Sequence, residues 1–198
     1  MEKSGESGKS EEVVEKSTEQ GEDFTEATSD LPDYDLLVKE AVRGSDTAFT
    51  LLWRHYQPRM VRYLAMFTND PEDLSSEVWI KVATSIKGFD GDSKAFKGWI
   101  YTIARNSATD LARKKKREGT TSELEEGDWT GENSTMVEVM DLIKRLPDDY
   151  AEVILLRVVA NLEVNDVAEI IGKTPGNVRV LTHRGLKQLN EMLTGGER

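Results

Sequence analysis

Lys94, Lys97, Tyr101 and Arg105 recur at three- and four-residue steps, which gathers them on one side of any helix that carries them. The same segment ends in Arg113-Lys114-Lys115-Lys116-Arg117. Cations near a helix C-terminus suit the helix dipole, but that effect fades within one turn, and five adjacent like charges repel one another. Cations interleaved with an aromatic ring suit a polyanion whose bases are accessible: the charges meet phosphates and the ring meets a base. A second group, Asn177, Arg179, Val180, His183, Arg184 and Lys187, lies near the C-terminal end. Arg and Asn are the side chains that meet guanine and adenine edges in bidentate fashion.

The net charge of −11 argues against a polyanionic partner until the chain is divided. Met1–Asp33 carries −8, Tyr34–Arg117 carries +5, Glu118–Glu138 carries −7 and Val139–Arg198 carries −1. Two acidic stretches thus surround a basic segment. The first is rich in Glu, Ser, Thr and Gly with few large apolar residues, and reads as a disordered acidic tail. The second reads as a flexible acidic linker, with Trp129 as its odd member. The chain has no cysteine, so thiolate metal sites, disulfides and a cysteine nucleophile are excluded, and two histidines are too few for a histidine-rich metal cluster. No apolar run approaches the roughly 20 residues that span a bilayer, and no basic-then-apolar leader opens the chain. A cytoplasmic protein without membrane insertion is expected.

Apolar residues repeat at helical spacing and no segment alternates with period two over a useful length. Helices are predicted from Tyr34 to Arg43-Gly44 and from Ser45 or Asp46 through Leu64, with a kink at Pro58. A third opens with Asp70 as N-cap and Pro71 as first helical residue, with the stripe Leu74, Val78, Val82 and Ile86. A fourth spans Ser93 to Lys116, with Phe96, Ile100, Ile103, Ala104, Ser107 and Leu111 as its core face, opposite the cationic stripe. Further helices are predicted over Met136–Arg145, Asp148–Val159, Val164–Ile171 and Thr174-Pro175 to Leu193. The fold class is all-α, with two small helical domains: 34–117 and 139–198, flanking the linker 118–138 and preceded by the tail 1–33.

Val164–Ile171, the turn Gly172-Lys173 and the capped start Thr174-Pro175 form a helix-turn-helix, with Val167, Ala168 and Ile171 facing Val178, Leu181 and Leu189. Such a unit projects the start of its second helix, the part that enters a major groove.

The segments DPEDLSSEVWIKVATSIKGFD and FKGWIYTIARNSATDLARKKKR resemble the second region of an extracytoplasmic-function (ECF) sigma factor of the sigma-70 family. IKRLPDDYAEVILLRVVANLEVNDVAEIIGKTPGNVRVLTHRGLKQL resembles its fourth region, and together the resemblance covers Tyr34–Thr194. It implies a non-catalytic specificity subunit of bacterial RNA polymerase, which directs the core enzyme to promoters, binds promoter DNA and is held by an anti-sigma factor. It further implies that Asp73, Leu74, Ser76, Glu77 and Ile80 dock on the polymerase clamp and that the loop Phe89–Lys97 captures a flipped base of the downstream element. Lys94, Lys97, Tyr101, Arg105, Asn106, Arg113 and Lys114 would hold that strand, and Pro175–Lys187 would read the upstream element. Ser76 stands where the family often has glutamine, Val180-Leu181 where a serine and a basic residue often sit, and Glu163 where serine usually caps the helix.

Gly5–Ser10 imitates the end of a P-loop, but Lys3 replaces the required first glycine and no strand precedes it. His55 and His183 have no acid or second histidine at ligand spacing. No nucleophile, base and oxyanion donor converge, and no cofactor or metal is expected. A stand-alone helix-turn-helix regulator is the alternative reading.

Overall fold

A computed structural model describes residues 32–119 and 134–195. The acidic tail through residue 31, most of the expected linker (including Trp129) and the last three residues lie outside the described residues. Among those described, the chain is helical without strands: α1 Tyr34–Val42, α2 Asp46–Leu64, α3 Pro71–Ser85, α4 Ser93–Glu118, α5 Ser134–Lys144, α6 Asp148–Ile154, α7 Val164–Ile171 and α8 Pro175–Gly195. A 3₁₀ turn, Ile86–Gly88, follows α3, and a π turn, Leu155–Val159, prolongs α6. Glu118 closes α4 and Ser134–Glu138 open α5, so both ends of the expected linker are helical.

Local chemistry accounts for most of these boundaries. Asp33 caps α1 by accepting from Asp35 N and Leu36 N, and Ser45 caps α2 through Ala48 N. Asp92 accepts from Ala95 N at 2.7 Å at the start of α4, while Asp35 of α1 accepts from Ser93 N at 2.8 Å. Hydrogen bonds from Ser93 hold the Asp35 carboxyl below its ordinary pKa. Asp70 departs from expectation: Pro71 is the first residue of α3, but the Asp70 side chain makes no capping bond. Its backbone N–H instead donates to Thr68 Oγ1, at 3.2 Å.

α1 to α4 pack on one another in sequence order. Their core holds Leu52, Met60, Tyr63 and Leu64 of α2, Val78 and Val82 of α3, and Phe96, Ile100 and Ala104 of α4, all without exposed surface. The stripe Leu74, Val78, Val82 and Ile86 is buried throughout. Burying a side chain of this kind stabilises by about 1.5–3 kcal/mol relative to leaving it in water.

The helix-turn-helix forms as its turn chemistry predicts. Gly172 ends α7 at φ 66°, a left-handed conformation that glycine adopts without steric cost. Thr174 Oγ1 accepts from Asn177 N at 3.2 Å, capping α8. Val167, Ala168 and Ile171 are buried beside Val178, with Leu181 and Leu189 partly buried against them. Gly185 allows α6 and α8 to approach closely: a Cβ there would lie 2.8 Å from Ile154 Cδ1 and 3.2 Å from Tyr150 Cβ.

Candidate nucleic-acid and polymerase interfaces

α8 carries one unobstructed face. Asn177, Arg179, Val180, His183, Arg184 and Lys187 are all exposed, while Val178 between them is fully buried. Lys187 pairs with Glu191 one turn on, at 3.7 Å, with both side chains mostly in water; such a pair is weak and readily exchanged for another anion. This places two guanidiniums, an amide, an imidazole and an ammonium on the projecting half of a helix-turn-helix.

The cationic stripe on α4 meets a different environment. Lys94 Nζ lies 2.8 Å from Glu163 Oε2, Lys97 Nζ donates to the Asn161 carbonyl at 2.5 Å, and Arg105 Nε donates to Glu152 Oε1 at 2.9 Å. All three partners come from the segment between the start of α6 and the start of α7. The hydrogen bond between Lys94 and Glu163 raises the lysine pKa and lowers the glutamate's. Burial pushes the Lys97 ammonium pKa down against the pull of Asp166 and Glu163. Asn106, Arg113 and Lys114 stay exposed further along α4. Arg113 makes an exposed pair with Asp110 at 3.4 Å, beside Lys116 and Arg117 in a shallow concavity.

Tyr101 corrects the expected outward stripe. It has no exposed surface, packs edge-on against Tyr63 at 5.6 Å between ring centroids, and is buried with Phe96, Ile100, Ala104, Ser107 and Ala108. At 100° per residue these positions span an arc of about 140°, wider than the arc spacing alone suggested, because Tyr101 and Ala108 extend it toward the cations. Ile103 and Leu111, expected in the core, are only partly buried. Among the described residues the Tyr101 hydroxyl has no hydrogen-bond partner, and burial drives its pKa far above the ordinary phenol value.

Elsewhere on the first helix group, α2 and α3 form an apolar groove of about 410 Å³ lined by Phe49, Trp53, Ser76, Trp79, Ile80 and Ala83. Ile80 is 64% exposed and Trp53 is 39% exposed, high values for large apolar side chains. Asp73, Ser76 and Glu77 stand exposed on the same helix. Leu74 does not belong to this surface: it is 5% exposed and packs inward, because the α3 stripe uses it as core. Trp79 is held in place by Gln57, whose Oε1 accepts from Trp79 Nε1 and from Ser75 Oγ, both at 2.7 Å. Neither Gln57 nor Phe49 carries a motif that marks this role; the four-residue step from Phe49 to Trp53 on α2 is the only signal.

Among the described residues no cluster of His, Cys, Asp or Glu could hold a metal ion, and no helix is long and apolar enough to cross a membrane. His55 is a packing residue: its Nδ1 lies 2.7 Å from the Tyr34 hydroxyl.

Comparison with known proteins agrees with this arrangement. The Sigma-70 region 2 family matches residues 52–118 and the Sigma-70, region 4 family matches residues 136–189. The ECF RNA polymerase sigma-E factor of Haemophilus influenzae is 30% identical over 177 residues, covering 79% of this chain and 93% of that one. The ECF RNA polymerase sigma factor BldN of Streptomyces coelicolor is 28% identical over 170 residues, covering 79% of this chain and 64% of that one. The sigma factor RpoE of Bartonella quintana, solved in complex with the anti-sigma factor NepR, shares the fold, with a TM-score of 0.60 at 20% identity over 76% of this chain and 98% of that one. With both sigma-70 regions in order and a relative at this identity along nearly its whole length, the chain belongs to the ECF sigma factors of the sigma-70 family, the RNA polymerase subunits that direct transcription initiation.

Proposed function

We propose that the chain divides promoter recognition between its two helix groups while bound to core RNA polymerase. The first, residues 34–117, docks on the polymerase clamp through Asp73, Ser76, Glu77 and Ile80, with the groove beside Trp53 receiving an apolar side chain from the clamp. Its α4 holds the unpaired downstream strand through Lys94, Lys97, Arg105, Asn106, Arg113 and Lys114. The second, residues 139–198, grips the upstream element as duplex DNA through Asn177, Arg179, Val180, His183, Arg184 and Lys187. Linking the two on one chain gives each half-site the effective concentration of the other, so neither needs high affinity alone. The reacting groups belong to the polymerase; this chain acts in the cytoplasm as a specificity subunit without a catalytic centre of its own.

The observation that carries this reading is the exposed face of α8, where six side chains suited to base edges and phosphates stand on one side of a capped recognition helix. An anti-sigma factor is the expected inhibitory partner, as the complex of the Bartonella relative with NepR illustrates for that protein. Ile80→Asp tests the docking face: it should abolish co-purification with core polymerase while leaving upstream duplex binding by the chain intact. Undiminished co-purification would reject the α3 assignment.

A further inference from the structure

Three of the cations that would hold the downstream strand are already occupied by another part of this chain. Lys94, Lys97 and Arg105 follow one another along α4, and each is met by an oxygen from the α6–α7 segment: the Glu163 carboxylate, the Asn161 carbonyl and the Glu152 carboxylate. α4 packs directly on α7, and α2 on the π turn that follows α6. Glu152 is the one charged side chain in the core among the described residues. Its Oε1 accepts from Arg105 Nε and from the Tyr63 hydroxyl, at 2.9 and 3.1 Å, so both of its protein partners lie in the other helix group. Its neighbours Ala151, Val153 and Ile154 are buried apolar residues. A carboxylate in such a place is costly unless paired, and its pairing exists only when the two groups are together. Tyr101, one turn from both Lys97 and Arg105, packs edge-on against Tyr63, whose hydroxyl donates to Glu152. The contact is therefore built from two ion pairs and a charged hydrogen bond, with two of its three cations in part-exposed pairs that another anion can replace.

We infer that this contact is an autoinhibitory latch: Glu152, Asn161 and Glu163 take the places of DNA phosphates on α4, and the two helix groups must part before the downstream strand can bind. The inference rests on the assignment of that strand to α4. It makes the helix-turn-helix group a competitor for the first group's ligand in the free chain, relieved when both are drawn onto polymerase and promoter.

The chain's lack of cysteine allows a direct test. A Cβ at Gly98 of α4 would lie 3.9 Å from the Asp166 Cβ of α7, inside the range of about 3.5–4.5 Å found across disulfides. The full chain with Gly98→Cys and Asp166→Cys should cross-link within itself under mild oxidation. A fluorescent mixed-sequence single-stranded DNA should then bind the oxidised form about tenfold more weakly than the same protein after reduction, since three phosphate-binding cations are withheld. Added strand should also slow the cross-linking. Failure to cross-link, or equal binding in the two forms, overturns the latch and leaves the α4 assignment standing. Absence of strand binding by both the reduced form and the unaltered chain overturns the α4 assignment and the latch with it. As a second arm, Glu152→Gln in the unaltered chain should raise single-strand affinity several-fold; unchanged affinity counts against the latch.

Discussion

α4 and α8 carry similar residues to opposite ends. Each presents Arg and Lys along one face, yet the α8 cations face solvent and those in the first half of α4 are bound by carboxylates and a carbonyl of the other helix group. Side-chain type and spacing therefore decide which face of a helix is polar, and only the rest of the fold decides whether that face is available. The α8 surface depends on neighbours close in sequence, namely α7, Gly172 and Thr174. The α4 surface depends on residues 47 to 69 positions further along the chain.

The largest expected effect breaks the α4 side at its base. Phe96 has no exposed surface and packs against Tyr56, Phe89 and Trp99, which anchors the loop 89–92 to α2 and α4. Phe96→Ala should lower the free energy of unfolding by about 3–5 kcal/mol, measured by urea denaturation. A loss below 1 kcal/mol, on the order of an exposed position, would mean that the loop is not anchored as described.

On the α8 side, Arg179→Ala and Arg184→Ala should each cost about 1–3 kcal/mol of discrimination between a matching and a mismatched upstream element, with little change in stability. Competition binding on duplex variants measures this. If both variants discriminate as well as the parent, α8 is not the reader. Gly185→Val supplies the structural counterpart on the same helix. It adds atoms where even a Cβ meets Ile154 and Tyr150, and should destabilise by about 1–3 kcal/mol through overpacking. Unchanged thermal unfolding would show that α6 and α8 do not cross so closely.

The smallest effect is a pH dependence that reaches the stripe through Lys97. Burial, then the charges of Arg59 and Lys97, holds the His55 pKa below its ordinary 6.5. The unfolded chain therefore takes up this proton first. The contribution of neutral His55 is fully present above pH 6.5 and is lost as pH falls through the lower, folded-state pKa. Urea midpoints should decline between about pH 7 and pH 5, and His55→Gln should flatten that slope. An identical slope in the variant would remove His55 as its source.

The same contrast explains what the sequence alone makes legible. The start of α2 at Asp46, the cap at Thr174, the glycine stop at 172 and the stripe from Leu74 to Ile86 are decided within a few residues, and the structure has them where they were expected. The six outward residues of α8 follow from the same local rules. Tyr101 and Glu152 do not. Tyr101 lies at the edge of a helical arc whose width is set by α2, and Glu152 is polar on a run of apolar residues because its partners, Tyr63 and Arg105, lie 89 and 47 positions away. Periodicity also cannot separate a buried from an exposed apolar residue on one helix, as Leu74 shows against Ile80.

Transcription by purified core polymerase, assayed on a pool of promoter fragments with and without this chain, bears most directly on the account. The chain should make a subset of fragments active, with a shared upstream and downstream element among them. Arg179→Glu with Arg184→Glu should remove that activity without preventing polymerase association. A chain that associates with core polymerase yet stimulates no fragment, or stimulates all of them equally, would contradict it.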